Sequence, residues 1–83
     1  MIDPHSHPEV EGAIVFNGHD NAIIGYGQRI NMEPVLIYDY SIICHNLQHQ
    51  NMTEEEAIEY AEYNIVGAWL GDRTPIIFYR LPV

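Results

Sequence analysis

Thr53-Glu54-Glu55-Glu56 stands directly before a helical stripe of apolar residues, Ala57, Ala61, Ile65 and Ala68, and this pairing fixes a helix in the second half of an 83-residue chain. The Thr53 hydroxyl can accept from the Glu56 amide while the Glu56 carboxylate reaches back, and Met52 before the cap can staple against Ala57. Three glutamates in the first turn suit the positive end of the helix dipole. The helix ends near Val66 or carries Gly67 for close packing, and Gly71 is the latest cap it can reach. A stripe of this width must be covered by apolar surface from elsewhere in the chain.

That surface comes from four β-prone runs. Ala13–Phe16 is closed by Asn17-Gly18, a favoured turn dipeptide, and Ala22–Gln28 follows at a spacing that predicts an antiparallel hairpin. Gly25 and Gly27 flank Tyr26 and mark a bulge or a close backbone approach; with no third glycine and no helix directly after them, they do not read as a phosphate loop. Pro34–Tyr38 is the third strand, and Ile76–Leu81, before Pro82, is the last. Asp39 makes an N-cap for a helix of about ten residues starting at Tyr40, with Ile43 and Leu47 inward and Asn46 and Gln50 outward. The order β-β-β-α-α-β predicts an α+β domain over residues 12–83, a four-stranded and mainly antiparallel sheet with two helices packed on one face. Residues 1–11, rich in proline, histidine and acid, read as an irregular arm that drapes over the domain.

Charge decides which partners such a domain can take. Twelve Asp and Glu stand against three Arg and no Lys, a formal charge of −9, which repels phosphate backbones and anionic lipid. Direct nucleic-acid binding and membrane binding are therefore not expected. Cys44, the one cysteine, cannot form an internal disulfide, and no apolar run approaches the roughly 18 residues of a membrane span. The start, MIDPHSHPEV, has neither the basic region nor the apolar stretch of a signal peptide, so a cytoplasmic protein is expected.

Three groups of residues could carry function. Glu54, Glu55, Glu56, Glu59 and Glu62 fall within nine residues, with Glu55, Glu59 and Glu62 on one face at i, i+4, i+7. Such a face could mimic a row of phosphates for a basic groove; the plainer reading is a solvated helix start. Six tyrosines and Trp69 are more aromatic surface than so small a body can bury, and Tyr63 and Trp69 lie partly off the apolar stripe, where rings anchor interfaces. His45 and His49 stand at i, i+4, the spacing by which two imidazoles share a metal ion, but they lack the glutamate of a His-Glu-x-x-His hydrolase. Ordinary exposed histidines are the plainer reading. Cys44 reads as a small core residue, Arg29, Arg73 and Arg80 as partners of scattered acids, and Asn64 as a semi-buried amide bonded to a loop. No nucleophile, base and oxyanion constellation is legible, so neither an enzyme nor a cofactor is expected.

Asp39-Tyr40, Met52-Thr53-Glu54-Glu55-Glu56-Ala57, Asn64, Gly67-Ala68-Trp69, Gly71 and Thr74-Pro75-Ile76 together resemble a family of small bacteriophage and prophage proteins that carries no assigned catalytic or binding residues. The likeness spans about Ala22 to Phe78; Asn51 stands where that family often has glycine, and the histidines of the arm lie outside it. It implies a phage origin and a shared fold. The function expected from charge and resemblance together is capture of a basic host protein in the host cytoplasm, in its sharpest form an anti-CRISPR-like inhibitor acting as a nucleic-acid mimic. A structural homo-oligomer, such as a homodimer, and a metal- or ligand-binding protein built on His45 and His49 are the alternatives.

Overall fold

In the computed structural model, which describes residues 3–82, the chain passes through two 3-10 turns (Pro4–Ser6, Pro8–Val10), an extended segment and a third such turn (Asp20–Ala22) before strand β1 (Ile23–Gly27). Strand β2 (Val35–Asp39), helix α1 (Tyr40–Gln48), helix α2 (Glu54–Ala61), a π-helical turn (Glu62–Val66) and strand β3 (Ile76–Phe78) follow. The sheet has three strands in the order β1-β2-β3, with β1 antiparallel and β3 parallel to β2. The four-stranded, mainly antiparallel sheet expected from the sequence is therefore corrected on both strand number and direction.

Ala13–Phe16 is the missing strand. Its backbone is held by neighbouring turns, Ala13 N–H on Val10 O at 2.9 Å and His19 N–H on Phe16 O at 3.3 Å, and the Phe16 N–H is taken by the Tyr38 hydroxyl at 2.8 Å. Ala13, Val15 and Phe16 still pack against the core. An apolar run suits an extended segment laid over a core as well as it suits a ladder, and composition alone does not separate the two. Ala22 likewise belongs to a 3-10 turn, so β1 begins at Ile23 and its pairing with β2 slips by one residue between Ile23 and Gly25, where the sequence pointed to a bulge.

The last strand is shorter than Ile76–Leu81 because its partner runs out. Asp39 pairs with Phe78 and is also the N-cap of α1, accepting from Ser41 N–H at 2.9 Å and Ile42 N–H at 3.3 Å, so β2 has no backbone left to offer beyond it. Residues 67–75 carry the chain from the end of the second helix back to the start of β2, which is why β3 enters parallel.

The helices follow the sequence closely. Both halves of the capping box form, with Thr53 Oγ1 accepting from Glu56 N–H at 3.2 Å and Glu56 Oε1 accepting from Thr53 N–H at 2.9 Å. Between the helices Asn51 takes φ +68°, a left-handed conformation that asparagine tolerates next after glycine. Ile43, Cys44 and Leu47 of α1 and Ala57, Ala61 and Ile65 of the second helix join Leu36 and Tyr38 of β2 and Val10 of the arm in one core. Leu36 and Tyr38 point to one side of the sheet by alternation; Val35, Ile37 and Ile76 share the other, where Gly27 lies so near that a Cβ on it would stand 3.2 Å from Ile37 Cδ1. The arm is thus two turns anchored by buried Pro4 and Val10 rather than wholly irregular.

Candidate functional site

The second helix presents its acids and rings together. Glu55, Glu59 and Tyr63 form one row at i, i+4 spacing, and Glu56, Tyr60 and Asn64 form the next. Met52, Glu56, Glu59, Tyr60, Tyr63 and Asn64 line one open groove, and Tyr63 is 84% exposed. Glu54 and Glu55 are exposed beside it, and Glu59 within it is exposed as well. At its end the helix widens into the π turn, in which Gly67 N–H reaches back five residues to Glu62 O at 3.0 Å. There Asn64, exposed rather than semi-buried, donates its side-chain amide to Tyr60 O at 3.2 Å instead of to a loop.

Two residues named from the sequence lie apart from this groove. Glu62 turns toward α1, where its Oε1 accepts from the Tyr40 hydroxyl at 3.1 Å, and the Tyr40 ring packs on Tyr79 at 4.7 Å between centroids. Burial, reinforced by Cys44 and Glu62, pushes the Tyr40 hydroxyl far above the ordinary tyrosine value, so it stays a donor. Trp69, 74% exposed, lines a different cleft, together with Arg29, Ile30, Val35, Arg73 and Ile76. The helix carboxylates and the indole therefore line different clefts, and the acids beside Trp69 are Glu33 and Asp72.

Cys44 is buried, and burial raises its thiol further than the Tyr40 hydrogen bond lowers it. It is held as the thiol, the unreactive form. On the exposed side of α1, His45 Nε2 and His49 Nε2 approach to 3.0 Å with their rings edge to face. No third His, Cys, Asp or Glu joins them in a metal-sized group among the described residues.

The polar cluster that sequence reasoning missed is His19, Asn21 and Asn46. His19 is buried, and its Nδ1 accepts from Asn46 Nδ2 at 3.1 Å; Asn46 and Asn21 exchange amide bonds at 2.8 and 3.0 Å. Asn46, expected to face solvent, instead ties α1 to the 3-10 turn before β1. The signal available was His19-Asp20-Asn21 itself, three residues with side-chain bonding capacity beyond what a turn needs. Burial lowers the His19 imidazole below the ordinary value of 6.5, so the unfolded chain takes up this proton first as pH falls. Between those two values the unfolded state binds more protons, so stability rises with pH there and is lost as the pH is lowered. The urea midpoint is therefore expected to fall on going from about pH 7.5 to about pH 5.5. In His19→Asn, which keeps an acceptor but not the proton, that fall should shrink; an unchanged fall would assign it to other groups.

The arginines do pair as expected in two cases, Arg80 with Asp39 at 3.3 Å and Arg73 with Glu33 at 3.6 Å, but Arg73 spends most of its donors on backbone carbonyls. No helix among the described residues is long and apolar enough to cross a membrane. No protein-family model, curated protein or solved structure matches the chain.

Proposed function

We propose that this protein is a docking module that captures a basic partner protein on the exposed face of its second helix. The observation that carries the reading is the groove in which Glu56, Glu59, Tyr60 and Tyr63 converge, with Glu55 in register beside it. Carboxylates one helical turn apart attract Lys and Arg side chains, and tyrosine faces accept a guanidinium by cation–π contact. The net charge of −9 steers a cationic surface toward the molecule from beyond contact distance. The resemblance to phage proteins supports a host protein as that partner in the host cytoplasm, and inhibition of a defence system by mimicry of a phosphate row as the outcome.

Glu55→Lys/Glu59→Lys and Tyr63→Ala test this, since all three side chains are exposed and none caps or packs the fold. Glu62 stays unchanged because it holds Tyr40. Capture of the partner from host lysate, quantified by mass spectrometry, is expected to fall by about tenfold or more in each variant and to weaken with added salt. Equal capture by the charge-reversed protein, with its circular dichroism unchanged, defeats the proposal.

One observation favours a second reading, a homodimer. Ile30, Trp69 and Ile76 are exposed around the end of the sheet face that carries no helix. Light scattering that gives a dimer, with Trp69 emission shifted to the blue, would support this reading, and a monomer with wet indole would remove it.

A further inference from the structure

We propose that His45 and His49 form an open two-imidazole chelate for a divalent transition-metal ion, with Zn2+ and Cu2+ as the fitting class. The inference is independent of the acidic groove, which lies on the other helix.

The geometry is nearly that of a bound pair. Two imidazole nitrogens at about 2.0–2.1 Å from a tetrahedral zinc stand about 3.3–3.4 Å apart. His45 Nε2 and His49 Nε2 are 3.0 Å apart, so the rings need to part by only a few tenths of an ångström. At present one of these nitrogens donates to the other, which requires that one be an unprotonated acceptor, and that lone pair is the one a metal takes. For an ion to take both Nε2 lone pairs, the donating imidazole would shift its proton from Nε2 to Nδ1 by exchange with solvent, so each ring stays neutral and no net proton is released.

Position supports the pair. His45 lies in the last turn of α1 and His49 is its C-cap, where the negative end of the helix dipole favours a cation. Both rings are exposed, so no buried group is uncovered on binding. Helix α1 itself is held by the Asp39 cap and by Ile43 and Leu47 in the core, so the i, i+4 spacing is preset and the second imidazole binds at high effective concentration. With two ligands from the chain, the remaining positions are open to water or to a donor from another molecule.

The competing histidines are His5 and His7 of the arm; His19 is buried and already accepts from Asn46. Tag-free full-length protein titrated with zinc chloride, followed by calorimetry and by the imidazole proton resonances, separates them. The expected result is joint displacement of the His45 and His49 signals, with affinity reduced by about a hundredfold in His45→Ala and in His49→Ala and unchanged in His5→Ala/His7→Ala. Because the unfolded chain lacks the preset spacing, zinc should also raise the Tm of the parent protein and not that of His45→Ala. Zinc shifts confined to His5 and His7, or equal affinity in His45→Ala, would overturn the assignment.

Discussion

Tyr38→Ala is expected to cost the domain a large share of its stability. Tyr38 is fully buried at 0% exposure in the central strand, and its ring meets Phe16 at 5.0 Å and a 60° tilt. Removing a ring of this size from a sealed core costs about 3–5 kcal/mol. An 83-residue domain has roughly 4–12 kcal/mol in all. The hydroxyl adds a second, separable contribution, because the Phe16 N–H that it accepts lies in a segment with no ladder partner. Tyr38→Phe keeps the ring and strips that acceptor, so it should cost about 1–3 kcal/mol and loosen residues 13–16 first. Urea unfolding gives both totals, and hydrogen exchange at Phe16 isolates the local part. If the phenylalanine variant matches the parent in midpoint and in Phe16 protection, the hydroxyl is not what replaces the missing strand.

That bond also marks where reading the sequence stopped. Local chemistry was legible wherever one residue acts on neighbours a turn away: the Thr53–Glu56 box, the Asp39 cap, the Ile43 and Leu47 stripe and the bulge near Gly25 all depend on fixed short spacings. What was not legible depends on partners far along the chain. Phe16 and Tyr38 are 22 residues apart, His19 and Asn46 are 27 apart, and nothing in either neighbourhood names the other. Strand direction failed for the same reason, because residues 67–75 set the direction of β3 by their path and not by their composition.

The candidate surfaces divide along the same line. Exposure of Tyr63 followed from its place off the Ala57, Ala61 and Ile65 stripe, a matter of helical phase. Separation of Trp69 from the glutamates of the second helix did not, since the chain leaves the helix at Gly67 before reaching it. Glu62 was placed on the acidic face by phase, yet the π turn begins at that residue and its carboxylate is taken by Tyr40.

Arg73→Ala is expected to destabilise the domain by about 2–4 kcal/mol and to release the arm. The guanidinium is a three-way joint: Nε and Nη2 donate to Pro34 O at 3.1 and 2.6 Å, and Nη1 donates to Glu11 O at 2.9 Å. It thereby binds the start of β2, the end of the arm and the turn before β3. Its ion pair with Glu33 counts for little, because Glu33 is 75% exposed and water screens it. Lysine keeps the charge but cannot address two carbonyls with a planar fork, so Arg73→Lys should recover less than half of the loss. Gly12 offers an independent approach to the same joint: its φ is +81°, and a Cβ there would stand 3.0 Å from Arg73 Nη1, so Gly12→Ala strains the backbone and displaces the guanidinium together. Urea midpoints and hydrogen exchange at Val10, Glu11 and Ala13 measure the outcome in all three variants. Fast exchange there in Arg73→Ala and Gly12→Ala, with the core amides of α1 still protected, is the signature of a released arm on an intact domain; protection equal to the parent in Arg73→Ala would mean that Val10 packing alone holds the arm down.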